Sequence, residues 1–132
     1  MVIGITASAF DILHAGHVSM LTDAEKQCDY LICCLHVDPS LERENKNKPI
    51  QSLVERYLQL KAVRCVDEII PYQTEDDLIN ILHLKAPDVR IIGEEYRHKS
   101  FTGKDLTPQI YYNNRKHSFS STEIRKRIKN ER

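Results

Sequence analysis

The chain opens Val2-Ile3-Gly4-Ile5-Thr6-Ala7-Ser8-Ala9-Phe10-Asp11-Ile12-Leu13-His14-Ala15-Gly16-His17, and the order of residue types in this stretch decides the fold. Val2 to Thr6 is a short apolar run of β-branched character, the pattern of a strand covered on both faces. Such a strand is expected at the centre of a sheet. Ala7 to His14 breaks the run as a loop, and from about Ala15 to Cys28 the residues Val18, Leu21, Ala24 and Cys28 recur at helical spacing.

The alternation continues along the chain. Tyr30 to His36 is a second apolar run, closed by Val37-Asp38-Pro39 and a polar segment from Leu41 to Pro49. Ser52-x-x-Glu55 has the form of a capping box for a helix carrying Leu53, Tyr57, Leu60 and Val63. Glu68 to Ile70 is a short strand before Pro71, and Thr74-x-x-Asp77 opens a helix that Pro87 stops. Asp88 to Gly93 and Gln109 to Tyr112 read as strands, and Ser120 to Lys129 as a terminal helix. Strands alternating with helices imply right-handed crossovers: an α/β fold with a mainly parallel five-stranded sheet and helices on both faces. Such sheets bind ligands beyond the carboxyl ends of their strands.

Composition narrows the class. The 132 residues predict one globular domain, 1–132, long enough to hold a core without disulfides or structural metal. Nineteen basic residues balance nineteen acidic ones, which removes the charge excess expected of a protein that grips long nucleic acid or an anionic membrane. An anionic partner is expected to be small. Cys28, Cys33, Cys34 and Cys65 form no C-x-x-C and read as buried reduced thiols, and no His or Cys pair has zinc-site spacing. No apolar stretch approaches a membrane span and no apolar leader opens the chain, so a soluble, cytoplasmic protein is expected.

Three segments carry chemistry. His14 and His17 stand three apart where a helix opens, so both imidazoles can face one phosphate, and Gly16 between them allows close approach to the backbone. A cation is disfavoured at a helix N-terminus, which makes two histidines there an unusual choice for a plain surface loop. Ser120, Ser121 and Thr122 place three hydroxyls at another helix start, with Arg115 and Lys116 just upstream. Ser120-x-x-Glu123 is also a capping box, so these hydroxyls have a structural reading as well. Lys46 and Lys48 lie on the polar loop after the second strand, where a lysine can close onto a triphosphate, although composition alone makes them ordinary solvated surface.

These segments carry a family resemblance. Phe10-Asp-Ile-Leu-His-Ala-Gly-His17 resembles the His-x-Gly-His signature of the nucleotidyltransferase superfamily, and Phe119-Ser-Ser-Thr-Glu-Ile-Arg125 is similar to its second signature. Asp29-Tyr-Leu-Ile, Glu55-Arg56, Val66 to Ile70 and Gly93-Glu-Glu-Tyr96 extend the resemblance across nearly the whole chain, toward small cytidylyltransferases and glycerol-3-phosphate cytidylyltransferase in particular. The resemblance implies a Rossmann-like nucleotidyltransferase fold and transfer of CMP from CTP to a phosphorylated alcohol, with release of pyrophosphate. It implies His14, His17, Lys46 and Arg115 as catalytic residues. Ala9, Phe10, Gly16, Gly93, Glu94, Ser120, Ser121 and Thr122 would bind nucleotide, and Asp11, Lys48 and Tyr96 the acceptor. Mg²⁺ would arrive with the triphosphate.

An adenylyltransferase acting on a sugar phosphate or other phosphorylated small molecule fits the same signatures, and so does a nucleotide-binding module without catalysis. The chain departs from the family pattern in having Ser8-Ala9 where Gly-Thr is usual, which removes a hydroxyl, and Glu-Glu-Tyr where Asp-Asp-Trp is usual. Similar cytidylyltransferases are homodimers, and Phe10, Ile12 and Leu13, apolar residues in a loop, are expected to be covered by a partner copy.

Overall fold

The computed structural model describes residues 1–114 and 117–131. Five strands, β1 (Ile3–Ser8), β2 (Tyr30–His36), β3 (Glu68–Tyr72), β4 (Val89–Gly93) and β5 (Gln109–Asn113), alternate with helices α1 (Ala15–Glu25), α2 (Leu53–Lys61), α3 (Glu75–Lys85) and α4 (Ser121–Lys129). The strands form one all-parallel sheet in the order β3-β2-β1-β4-β5. β1 is central, as its continuous apolar run requires: Ile5 pairs with Ile32 on one side and Arg90 on the other. The chain winds outward from β1 through β2 to β3, then crosses back to β4. The topological switch therefore falls between β1 and β4, where open parallel sheets leave a crevice at their carboxyl ends.

Side-chain alternation gives each sheet face its own core. Leu31, Cys33, Leu35, Val89 and Ile91 pack under Leu21 and Ala24 of α1 and Leu60 of α2. Ile5, Ile32 and Cys34 pack under Leu78, Ile81 and Leu82 of α3. Ser52 and Thr74 cap α2 and α3 through the expected boxes. α3 ends at Lys85, with Ala86 in the left-handed region at φ 45° just before Pro87.

Several expectations shift. β1 runs from Ile3 through Ala7 to Ser8, into the segment expected as a loop, and α2 ends at Lys61, before Val63. α1 ends at Glu25, short of Cys28, whose side chain turns back over Gly4: a Cβ there would meet Cys28 Sγ at 2.7 Å. β3 runs through Pro71 to Tyr72, because β3 is an edge strand and an exposed proline there sacrifices no ladder bond. Phe10 is 1% exposed and packs in the α1 core, so it needs no partner copy to cover it; Ile12 and Leu13 are half-buried. All four cysteines are free, with Cys33, Cys34 and Cys65 buried. Among the described residues no helix is long and apolar enough to cross a membrane.

Candidate active site

The loop from β1 to α1 is an unusual piece of backbone. Phe10 and Ile12 both take φ of 49°, a left-handed conformation that side chains disfavour. Asp11 between them holds it there. Its carboxylate accepts from the backbone N–H of Ile50 (2.8 Å) and Gln51 (3.0 Å) and pairs with the Arg125 guanidinium at 3.1 Å, while Gln51 Oε1 accepts from Ile12 N–H at 2.8 Å. One buried acid thus ties together the histidine loop, the segment entering α2, and α4.

The loop delivers His14 to the N-cap of α1. Its Nδ1 accepts from Gly16 N–H at 3.0 Å, and the Nδ1 of His17 accepts from His14 N–H at 3.3 Å. An imidazole whose Nδ1 accepts carries its proton on Nε2, so this network assigns both rings as Nε2–H donors in their neutral form. The rings stack at 4.0 Å, and His14 Nε2 meets Ser121 Oγ at 3.1 Å. Gly16 is confined by the protein itself, since a Cβ would lie 2.8 Å from the His14 ring and 3.1 Å from the Phe119 carbonyl. The glycine therefore lets the chain entering α4 and the His14 ring close in, and it also lines the cleft over the ends of β1 and β4.

These groups open on a cleft of about 1000 Å³ over the carboxyl ends of β1 and β4. Ala9, His14, Gly16, His17, Gly93, Tyr96, Ser120, Ser121 and Thr122 line it, so the two signatures from opposite ends of the chain meet. Ser120 uses its hydroxyl to cap α4 through Glu123 N–H (3.1 Å), while Glu123 turns to Arg127 at 3.8 Å, so half of the expected capping box forms. Phe10 backs the His17 ring at 5.6 Å from inside the core. Asp11 is committed to the protein contacts described above. Glu94 is exposed, paired with Arg97 at 3.5 Å, and does not line the cleft.

Lys46 and Lys48 are exposed and do not line the cleft either; Arg43 of the same segment does, held by Glu75 at 2.8 Å. Arg115 lies outside the described residues.

Several residues of the cleft and of the strand ends beside it have roles that local pattern does not give. Asp23 accepts from Tyr111 O–H (2.9 Å) and Asn113 Nδ2–H (2.8 Å), and Asn113 Oδ1 is buried without a partner. Arg56 is buried and donates to the carbonyls of Ala9, His36, Gln51 and Val37, clamping the ends of β1 and β2. Arg90 is buried on β4 and reaches Thr102 O at 2.9 Å. His36 stacks on Tyr72 at 4.4 Å, and burial lowers its pKa. Arg56 stands in the Glu55-Arg56 pair of the family resemblance, but its clamping role, like the roles of the others, becomes visible only when strands distant in sequence align. The cleft acids Asp23 and Glu75 are engaged by protein donors, and the described residues contain no cluster of three His, Cys, Asp or Glu able to hold a metal ion.

Comparison with known proteins agrees with this geometry. The family described as cytidylyltransferase-like matches residues 5–127. The bifunctional protein HldE of Granulibacter bethesdensis is 36% identical over 107 residues, 80% of this chain and 22% of that protein. HldE of Photorhabdus laumondii is 33% identical over 132 residues, covering 96% of this chain and 28% of its own. The chain thus spans about a quarter of the length of these curated relatives. Among solved structures, a lipopolysaccharide core biosynthesis protein from Thermoplasma volcanium superposes with a TM-score of 0.69 at 22% identity, over 86% of this chain and 98% of its own. Pantoate-beta-alanine ligase from Francisella tularensis shares the fold at TM-score 0.57 and 18% identity, over 97% of this chain and 69% of that one. With the family match covering nearly its whole length and both signatures facing one cleft, this chain belongs to the cytidylyltransferase-like family.

Proposed function

We propose that the chain is a nucleotidyltransferase that moves an AMP group from ATP to a sugar phosphate or related phosphorylated small molecule. The observation that carries the reaction class is the pair of imidazoles locked through Nδ1 at the start of α1 and facing Ser121 of α4. The acceptor's phosphate oxygen attacks the α-phosphorus, forming one P–O bond as the bond to the β-phosphate oxygen breaks and pyrophosphate leaves. No proton must be removed from the nucleophile, so the protein's work is alignment and stabilisation of charge on the phosphate oxygens. Two preset N–H donors beside a helix N-terminus suit that work, because they need no rearrangement as charge develops. Ser120, Ser121 and Thr122, which line the cleft at the start of α4, would hold the β and γ phosphates, and Mg²⁺ would enter as the counter-ion of the triphosphate substrate.

The choice of ATP and a sugar phosphate over CTP and glycerol 3-phosphate rests on the relatives: those at about a third identity are HldE proteins. The name of the Thermoplasma fold relative, lipopolysaccharide core biosynthesis protein, accords with a sugar acceptor. Pairing of two copies through Ile12 and Leu13 belongs to the same proposal, and sedimentation at micromolar concentration giving 15.4 kDa would overturn it. The deciding experiment is pyrophosphate release from each of ATP and CTP with sugar 1-phosphates, sugar 5-phosphates, ribose 1,5-bisphosphate, 3-phosphoglycerate and glycerol 3-phosphate. Release with ATP and a sugar phosphate is expected. Release only with CTP and glycerol 3-phosphate moves the function to the cytidylyl reading, and none with any pair makes the chain a binding module.

A further inference from the structure

Two arginines in this fold are almost equally buried and are used differently. Arg56, 2% exposed, donates from Nε, Nη1 and Nη2 to four carbonyl oxygens. Arg90, 5% exposed, donates from Nη1 to Thr102 O, and its Nε has no partner. Burying a guanidinium is costly unless its charge and donors are met, so the two call for different explanations. Arg56 is a strap. Arg90 carries donors that the protein leaves unused, and it lines the cleft.

Its surroundings define what could meet it. Arg90 pairs with Ile5 in the sheet, which puts its side chain on the α3 face, three residues before Gly93. At the rise of a strand that is roughly 10 Å below the sheet edge where the histidine loop begins. The groups that act on its charge are Cys34, Tyr72, Glu75 and Arg43. Burial pushes the Cys34 thiol up to about 12 and raises the Tyr72 phenol, so both are neutral at pH 7. Glu75, the carboxylate that acts on it, is paired with Arg43 at 2.8 Å through Oε1, and its Oε2 is buried without a partner. Glu42, the other carboxylate here, accepts from Glu75 N–H at 3.0 Å, so neither acid supplies a hydrogen-bond partner to Arg90 Nε. The Phe101 ring, 5.2 Å from Arg90 Cζ, is a weak substitute for a counter-ion.

We infer that Arg90 is a specificity-determining residue that receives a second oxyanion, carboxylate or phosphate, on a phosphorylated acceptor whose reacting phosphate lies at the His14–His17 end. The inference rests on the transferase reading for what occupies the histidine end, whereas the oxyanion site on the α3 face stands on Arg90 itself. Acceptors with one phosphate and only hydroxyls elsewhere would leave the buried charge unmet.

Isothermal titration without nucleotide tests this independently of turnover, using two pairs of probes that differ in the second anion. Glycerol 3-phosphate is compared with 3-phosphoglycerate, and ribose 5-phosphate with ribose 1,5-bisphosphate. The wild type is expected to bind at least one probe with the second anionic group about tenfold or more tightly than its partner, the size of a charge-assisted contact. The pair that shows the preference tells carboxylate from phosphate. In Arg90→Gln the preference should fall to within about threefold, and Arg90→Lys should retain part of it through charge alone. Equal affinities within both pairs in the wild type, or a preference that survives Arg90→Gln, would overturn the inference. The wild-type comparison stands even if a variant fails to fold. Absence of pyrophosphate release in the transfer assay would remove the transferase reading while leaving this measurement intact.

Discussion

Replacing Asp11 separates two roles that sequence reading cannot. Its carboxylate accepts two backbone N–H bonds and one from Arg125, and the two side chains of that ion pair are 10% and 24% exposed. Hydrogen bonds to a charged acceptor contribute roughly 1.5 kcal/mol each at the lower end of their range, fitting a partly buried site, and the ion pair adds about 1 kcal/mol. Asp11→Ala should therefore destabilise the chain by about 4 kcal/mol. Asp11→Asn, which keeps one acceptor oxygen, should lose about half of that. For a chain of this size about 3 °C of melting temperature accompanies each kcal/mol, so drops of about 12 °C and 6 °C are expected in thermal unfolding followed by circular dichroism. Turnover should fall too, because Phe10 and Ile12 keep their left-handed backbone only while Asp11 holds the loop. An Asp11→Ala variant that melts within about 2 °C of wild type and loses only affinity for the acceptor would refute the structural role and return Asp11 to acceptor binding.

Other outcomes are expected from the same geometry. His14→Asn retains a capping side chain at the start of α1, so its melting point should stay within a few degrees of wild type while kcat drops at least ~10²-fold; wild-type turnover would remove His14 from the mechanism. The family resemblance, rather than the geometry, gives Lys46→Ala a larger loss of turnover than Lys48→Ala, and equal effects would show that this exposed loop supplies diffuse charge. His36 has a lowered pKa in the fold, so the unfolded chain takes up its proton first as pH falls. The stability that neutral His36 contributes is full above about 6.5, the unfolded value, and is lost as pH falls toward the lowered folded value. Urea unfolding should show this decline in wild type and a shallower one in His36→Gln; identical slopes would refute it.

Much of the architecture is legible in the residues alone. The β-branched run from Ile3 to Thr6 marks a strand covered on both faces, although Val2 before it is exposed, and the Ser52 and Thr74 boxes mark helix starts through local hydrogen bonds that need no tertiary partner. Pairing His14 with His17 also follows from sequence, because residues three apart at a helix start share one side. Other features depend on parts of the chain that local patterns cannot relate. Asp11 reads as a substrate ligand until the fold brings Ile50, Gln51 and Arg125 to it from 39, 40 and 114 residues away. Phe10 reads as exposed until α1 folds over it, and the approach of the Phe119 carbonyl to Gly16 is invisible in the sequence. Arg56 and Arg90 look alike as isolated arginines. Their difference is set by which strand ends supply carbonyl oxygens, because hydrogen bonds and buried charge are satisfied in three dimensions while periodicity and capping act along the chain.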